Sequence, residues 1–428
     1  MVNGYLRQRF SASSRGSVAV LFGVCLFALA GSMGVAVDYA VAYRISSKLR
    51  ADADAAALAA AVAGRDYFMT HGGYEPGNIG RARSIAQAAA ARFFSENGAG
   101  EAGSVTRSID VAIKDTTVDV KITYSTLVGT PFGGLFNVEQ VPIAGVAESR
   151  ADLPRFVEVH LLIDTSGSMA LGAGKDEQDL LQAQVGCAFA CHDGTPVRGY
   201  ADSYTYAVAN NIDLRYTAVN RGIITLMDTI DRMPGSGGFI RTSVHSFDNT
   251  LKRDADLTTD SSEIRRRLPT APSTSSETAG ATHFNQIIDE FVRRVGHGGD
   301  GATASEPMKL VILATDGVRD PGRFWVTEVD ARKDVGPFDM SFCTTLKQRG
   351  VDVGIIHTPY LPMPYDWGYE ATLGQASQIG RPGTRADDVP IVLKDCAGPL
   401  YVRADEPEAI QSAFSNLFLS VLDVRLTR

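Results

Sequence analysis

The sequence has no G-x-S-x-G elbow and no P-loop, two short motifs that directly mark acyl- or phosphoryl-transfer enzymes. It has no Lys/Arg-dense block. Its 41 basic and 49 acidic residues leave a net charge of −8, which argues against a nucleic-acid partner. It has no long internal repeat. Cysteine is scarce, with five in 428 residues, so the fold rests on apolar cores, for which a hydrophobic content of 44% is ample. The length predicts two or three domains.

Charge is missing altogether from Gly16 to Val37, a run of about 22 residues, long enough at about 1.5 Å per residue to cross a hydrocarbon core of roughly 30 Å. Arg7, Arg9 and Arg15 precede the run and Asp38 follows it. This bias predicts a cytoplasmic N-terminus and an exported body, although Arg44, Lys48 and Arg50 oppose it. Ala28-Leu29-Ala30 has the small-x-small form of a signal-peptidase site. The apolar run continues past it, and a retained anchor is expected. Cys25 lies inside the run as an inert residue. The other four, Cys187, Cys191, Cys343 and Cys396, are an even number in an exported body, which predicts disulfides. Three connectivities are possible, and Cys187–Cys191 with Cys343–Cys396 is the expected one. Cys187, Cys191 and His192 read C-x3-C-H, one residue longer than the haem-attachment spacing, and a zinc site there would need a fourth ligand that is not near in sequence.

After the run, Asp38–Gly64 is alanine-rich and free of proline, which predicts that the helix continues. Gly72-Gly73 and Pro76-Gly77 break it, and a second helix is expected at Arg81–Glu96. The period then becomes two. Ile109, Val111 and Ile113, then Val118, Val120 and Ile122, flank a Lys114–Thr117 turn and predict a hairpin, with a further strand at Val138–Ser149. Residues 38–150 therefore read as a helical stem with a small sheet. Asp152-Leu153-Pro154 marks a boundary. Beyond it strands are expected at Phe156–Ile163, Phe239–Phe247, Met308–Ala314 and Val351–His357. Helices are expected at Leu214–Met233, His283–Val295, Ser341–Arg349 and Pro407–Leu422. This alternation predicts an α/β, doubly wound parallel sheet over 152–428, with a long connection at about 171–206 that overhangs the first strand's end. His245, His283, His297 and His357 read as ordinary histidines, and Tyr360–Tyr369 as a packed aromatic loop.

In such sheets ligands bind beyond the carboxyl ends of the strands. HLLID and LVILATD place Asp164 and Asp316 there. Asp164-Thr165-Ser166-Gly167-Ser168, with Thr282 in a Gly-Ala-Thr stretch and Asp316-Gly317 after a central strand, resembles the von Willebrand factor A domain and its metal-ion-dependent adhesion site. Taken singly, Ser166 and Ser168 also suit a turn or an N-cap. The resemblance implies that Ser166, Ser168 and Thr282 give hydroxyl oxygens to a divalent cation, while Asp164 and Asp316 act through bound waters. Mg2+ suits such a set, and Mn2+ or Ca2+ could replace it. A cation under-neutralised by hydroxyls attracts a carboxylate from a partner.

The N-terminal half carries a second resemblance. Arg15-Gly16, the apolar run, Val37-Asp38-Tyr39 and the Ala53–Ala59 stretch are similar to the TadE/TadG family of pilus-assembly proteins, whose TadG-like members join this segment to a von Willebrand A domain. GCAFACH (186–192), Cys343–Pro362 and Asp395–Phe414 add to it. The resemblance implies a tight-adherence (Flp-type) pilus component with a cytoplasmic tail (1–16), a transmembrane helix (17–37) in the bacterial inner membrane and a periplasmic body. Its implied partners are other pilus-assembly proteins and an acidic residue of a protein ligand. Prepilin-like relatives carry Glu five residues after the processing glycine. Here that position is Leu21, so an uncleaved anchor is expected. No enzyme activity is expected. The rivals are a metal site that only stabilises the domain, and a metal-assisted hydrolase using Asp164 or Ser166.

Overall fold

The computed structural model describes residues 14–71, 76–97, 104–114, 116–186, 188, 195–233, 238–273, 281–322 and 328–426. The chain divides into two compact units, Met1–Leu153 and Pro154–Arg428. The expected Cys187–Cys191 pair lies outside the described residues.

The first unit begins with one unbroken helix, α1 (Ser14–His71), followed by α2 (Pro76–Asn97). Among the described residues α1 alone is long and apolar enough to cross a membrane. Its second half buries Ile45, Leu49, Ala53, Ala56 and Ala60, a stripe at helical spacing. Ala82, Ala86, Ala90 and Phe94 of α2 repeat every four residues and are also buried. Both helices pack on a three-stranded antiparallel sheet, β1 (Thr106–Lys114), β2 (Thr117–Gly129) and β3 (Gln140–Asp152), in that order. Strict alternation in β2 sends Val118, Val120, Ile122 and Tyr124 into this core. The hairpin register sets Val111 opposite Val120 and Ile109 opposite Ile122, so the apolar sets of the two strands share one face.

The second unit is built on a six-stranded sheet. Its strands are β4 (Val157–Asp164), β5 (Ile240–Phe247), β6 (Leu251–Thr258), β7 (Met308–Thr315), β10 (Val351–His357) and β11 (Tyr401–Arg403), in spatial order β11-β10-β7-β4-β5-β6. Every pairing is parallel except β5–β6. A separate ribbon pairs β8 (Val318–Arg319) with β9 (Gly336–Pro337). Strand β4 is buried at all eight positions because helices cover both sheet faces. On one face Val159, Leu161 and Ile163 pack with α5 (Arg215–Arg232) and the last helix, α11 (Pro407–Leu426). On the other, Leu162 packs with α7 (Phe284–Val295), α8 (Phe342–Gln348) and α10 (Arg385–Ala397). The α/β doubly wound class holds.

Several elements depart from the sequence reading. The antiparallel edge strand β6, LKRDADLT, carries too many charges to show an apolar period. Helix α10 runs through Pro390, a residue that sequence rules treat as a breaker. The connection after β4 is partly ordered as α3 (Lys175–Val185) and α4 (Ser203–Ala209), which close a small core of Leu181, Tyr206, Ile212 and Leu214. The remaining helices are α6 (Ser261–Arg267) and α9 (Trp367–Ala371). A disulfide joins Cys343 of α8 to Cys396 of α10.

Candidate metal centre

The chain leaves β4 toward β5 and β6 on one side, then returns to β7 and continues to β10 and β11 on the other. The order therefore reverses between β4 and β7, the place where sheets of this kind bind ligands beyond the carboxyl ends of their strands. Asp164 closes β4, and Asp316 directly follows β7. Ile163 pairs level with Ala314, so the two aspartates emerge side by side. Gly317, at φ +74°, turns the chain there at a dihedral that suits glycine.

A continuous set of hydrogen bonds joins them. Ser166 donates both its N–H (2.9 Å) and its hydroxyl (2.6 Å) to Asp164 Oδ1. Thr315 Oγ1 donates to Asp164 Oδ2 at 2.6 Å. Ser166 Oγ and Ser168 Oγ stand 3.1 Å apart, and the Ser168 side chain favours the ionised form of Asp316. The Val318 N–H donates to Asp316 Oδ1 at 3.0 Å. Arg215, fully buried at the start of α5, places its guanidinium 3.4 Å from Asp316 Oδ2 and donates to the carbonyls of Ser168 and Pro359. Its guanidinium carbon lies 4.4 Å from the centre of the Tyr360 ring.

Thr282 arrives differently. Its N–H donates to the Asp320 carbonyl at 2.9 Å, and the next N–H, of His283, to the Asp248 carbonyl. The Ser273 N–H donates to the Thr165 carbonyl. Backbone pairing thus carries Thr282 to the edge that holds Asp164 and Asp316. Among the described residues its hydroxyl takes no part in the Asp164–Ser166–Ser168 chain. Asp164, Ser166 and Ser168 are brought into one hydrogen-bonded group that Arg215 links to Asp316, with Thr282 on a segment next in sequence to neither β4 nor β7.

Two carboxylates with zero exposure share this group with one guanidinium. Burial, and then the charge of Asp316, raises the Asp164 pKa. Burial also raises that of Asp316, against the opposing pull of Arg215. The carboxylates outnumber the guanidinium, and a divalent cation would offset the excess negative charge. The donor set fits such an ion. Adjacent ligands of an octahedral Mg2+ lie about 3 Å apart, given metal–oxygen distances near 2.0–2.1 Å, and the two serine hydroxyls are at 3.1 Å. Ser166, Ser168 and Thr282 could give oxygens to the ion directly, and Asp164 and Asp316 could hold its waters. Asp164, Ser166, Thr282 and Asp316 are buried, while Ser168 is half-buried, so approach is from the Ser168 side.

Arg215, Thr315 and Tyr360 escape sequence reasoning. Arg215 sits among polar residues at a helix start, and its partner is 101 positions away. Thr315 precedes Asp316 and was available as a hydroxyl at a strand end, but a sequence does not show that it points back to Asp164.

No known family profile matches the chain, and no curated protein matches it. Several solved structures are similar. BatB from Bacteroides thetaiotaomicron is 17% identical, with 62% of this chain and 99% of that chain covered at a TM-score of 0.32. An aerotolerance-related membrane protein from Bacteroides fragilis is 14% identical, with 62% and 99% covered at 0.33. The vWF domain of the type V pili tip protein Mfa5 from Porphyromonas gingivalis is 13% identical, with 64% and 97% covered at 0.34.

Proposed function

We propose that this chain is a membrane-anchored, non-enzymatic binding component of a TadG-like pilus-assembly apparatus. In this reading its A-type domain holds Mg2+ through Ser166, Ser168 and Thr282. The open side of the ion then takes an Asp or Glu carboxylate from a protein partner. The observation that carries the reading is the group of Asp164, Ser166, Ser168 and Asp316, hydrogen-bonded with Arg215 as the link to Asp316, at the reversal point of the sheet. Ser166 is buried and gives its proton to a fixed carboxylate, which suits a ligand better than a nucleophile. The anchor reading is supported by the charge-free first part of α1, and the body would lie in the periplasm.

Thermal unfolding of the detergent-solubilised chain tests the centre. A ligand that binds only the native state at about 100 times its Kd adds about 2.7 kcal/mol of stability. The expected result is a melting temperature that climbs with Mg2+ concentration relative to EDTA, with no climb in Ser168→Ala. An unchanged melting temperature in the unsubstituted chain up to tens of millimolar Mg2+ would sink the reading. If the climb is present, capture of acidic peptides in Mg2+ but not in EDTA tests the partner chemistry.

A further inference from the structure

The apolar run of α1 has a companion in the first unit. Between Lys121 and Glu139 the sequence carries no charged residue. The middle of this stretch leaves the sheet as the β2–β3 loop and folds into a short 3-10 turn, Gly133–Phe136. Its side chains are turned out: Leu135 is 70% exposed, and Phe132, Phe136 and Val138 are each close to half exposed. Water is a poor medium for such a cluster, at roughly 25 cal/mol for every Å2 of apolar surface.

The position of the loop identifies its medium. The ring of Phe136 lies against Gly31, where an added Cβ would come within 3.0 Å of it, and Phe132 lies against Gly34, where the distance would be 2.7 Å. Both glycines belong to the charge-free run, respectively about 10 and about 6 Å along the helix axis before Asp38. The loop therefore runs back beside the end of the apolar run, below the level of Asp38.

Its backbone suits an apolar medium, where every unpaired N–H or C=O costs several kcal/mol. The N–H groups of Phe132 (3.0 Å) and Gly133 (2.6 Å) both donate to Asp38 Oδ2, a carboxylate only 8% exposed. Those of Leu135, Asn137 and Val138 donate within the turn, to the carbonyls of Phe132, Gly134 and Gly133. The Thr130 hydroxyl donates to the Val138 carbonyl, and the Thr130 N–H pairs with Glu139 across the loop base. Two and six residues past the run, Tyr39 and Tyr43 stack at 6.5 Å and stand exposed, as aromatic rings do at a membrane–water boundary. An apolar groove of about 400 Å3, walled in part by Val35, Tyr39, Tyr43, Phe136 and Ile143, opens between them and the loop.

We propose that the 130–138 loop is a second membrane contact, in which Phe132, Leu135 and Phe136 enter the bilayer leaflet nearest the sheet, alongside Gly31 and Gly34 of the spanning helix. The proposal rests on reading α1 as an anchor. A lipid occupant is favoured over a protein because the patch lies beside the spanning segment, below Asp38, where lipid is the surrounding medium. Asp38 then acts as a clamp that fixes the loop to the helix and, with it, the angle at which the first unit leaves the membrane.

The test uses the full chain with Cys25, Cys187 and Cys191 changed to Ser and the Cys343–Cys396 bridge kept. A single cysteine is introduced by Leu135→Cys, an exposed position where folding is undisturbed, and labelled with an environment-sensitive NBD dye. Phe27→Cys reports the span, and Glu148→Cys reports the sheet near the β1–β2 turn. Each protein is reconstituted in phosphatidylcholine vesicles with and without doxyl-labelled lipid, and challenged with aqueous iodide. The expected result is that the Leu135 label, like the Phe27 label, emits to the blue, loses several-fold more intensity to doxyl lipid than the Glu148 label, and is protected from iodide. Iodide quenching of the Leu135 label, with the Phe27 label still quenched by lipid, overturns the loop insertion and leaves the anchor standing. A Phe27 label that lipid does not quench overturns the anchor and the loop together. A Leu135 label shielded from both quenchers shows a protein contact and likewise overturns the lipid assignment.

Discussion

The guanidinium of Arg215 stands 3.4 Å from Asp316 Oδ2, and neither side chain has any exposure. Removing one member of a buried ion pair leaves the other charge without compensation, which costs about 3–5 kcal/mol. Arg215→Ala is therefore expected to lower the stability of the Pro154–Arg428 unit by that amount, measured by urea unfolding in EDTA. Arg215→Lys is expected to recover only part of it, because an ammonium cannot reach the Ser168 and Pro359 carbonyls and cover Tyr360 at once. Millimolar Mg2+ should raise the melting temperature of Arg215→Ala by more than that of the unsubstituted chain. In the variant the ion takes over the neutralisation of Asp316.

Thr315 tests the other aspartate. Its hydroxyl donates to Asp164 Oδ2 at 2.6 Å and accepts from the Gly317 N–H at 2.9 Å, all within a buried turn. Thr315→Val keeps the shape and removes both bonds. An unsatisfied buried polar group costs about 1–3 kcal/mol, more where it is charged, so a loss of about 2–4 kcal/mol is expected by urea unfolding. Thr315→Ser should retain most of the stability. A valine variant as stable as the parent would mean that Asp164 does not depend on this hydroxyl.

What could be read in advance follows from where each signal resides. Strands β4 and β7 are continuous apolar runs because both sheet faces are covered, and a run of that kind is visible locally. The hairpin register follows from alternation, with Ile113 opposite Val118 as the sequence pattern requires. Ser166 and Ser168 lie within four residues of Asp164, so their grouping is local as well. The rest is tertiary. Arg215 meets Asp316 across 101 residues and Thr315 meets Asp164 across 151, distances over which no periodicity speaks. Strand β6 is defined by pairing with β5, since Lys252, Arg253 and Asp254 erase its apolar period. Pro390 is tolerated in α10 because Val389 and Leu393 bury against the sheet and the Thr384–Asp387 capping box holds the first turn.

The Cys343–Cys396 bridge ties two helices on one sheet face across a separation of 53 residues. Closing a loop of that length in the unfolded chain is worth about 4 kcal/mol by the chain-entropy estimate. Reduction, or Cys343→Ser with Cys396→Ser, should lower the stability of the second unit by up to about that amount, measured by urea unfolding with and without dithiothreitol. The Mg2+ response should persist, because both cysteines belong to the core on the sheet face covered by α7, α8 and α10 and not to the Asp164–Asp316 group.

His245 makes the second unit sensitive to acid. The ring lies buried in β5, edge-on to Phe291, and its Nδ1 has no hydrogen-bond partner among the described residues. Burial pushes its pKa down to about 4. The nearby His160 of β4, Arg294 of α7 and Arg253 of β6 press the same way, against a weaker opposite pull from Asp256. A histidine is ordinarily half-protonated near pH 6.5 in the unfolded chain, so between about pH 6.5 and 4 the unfolded state binds the proton and the folded state does not. The stabilisation is complete above about pH 6.5 and is lost as pH falls toward 4, at up to about 1.4 kcal/mol per pH unit. His245→Leu fills the site with an uncharged side chain and should remove close to one proton from the pH dependence of unfolding between pH 6 and 4.5. The measurement is urea unfolding at half-unit pH steps in EDTA for both proteins. Equal slopes would show that His245 is already charged in the folded protein, and that the ring's buried setting is matched by a counter-charge.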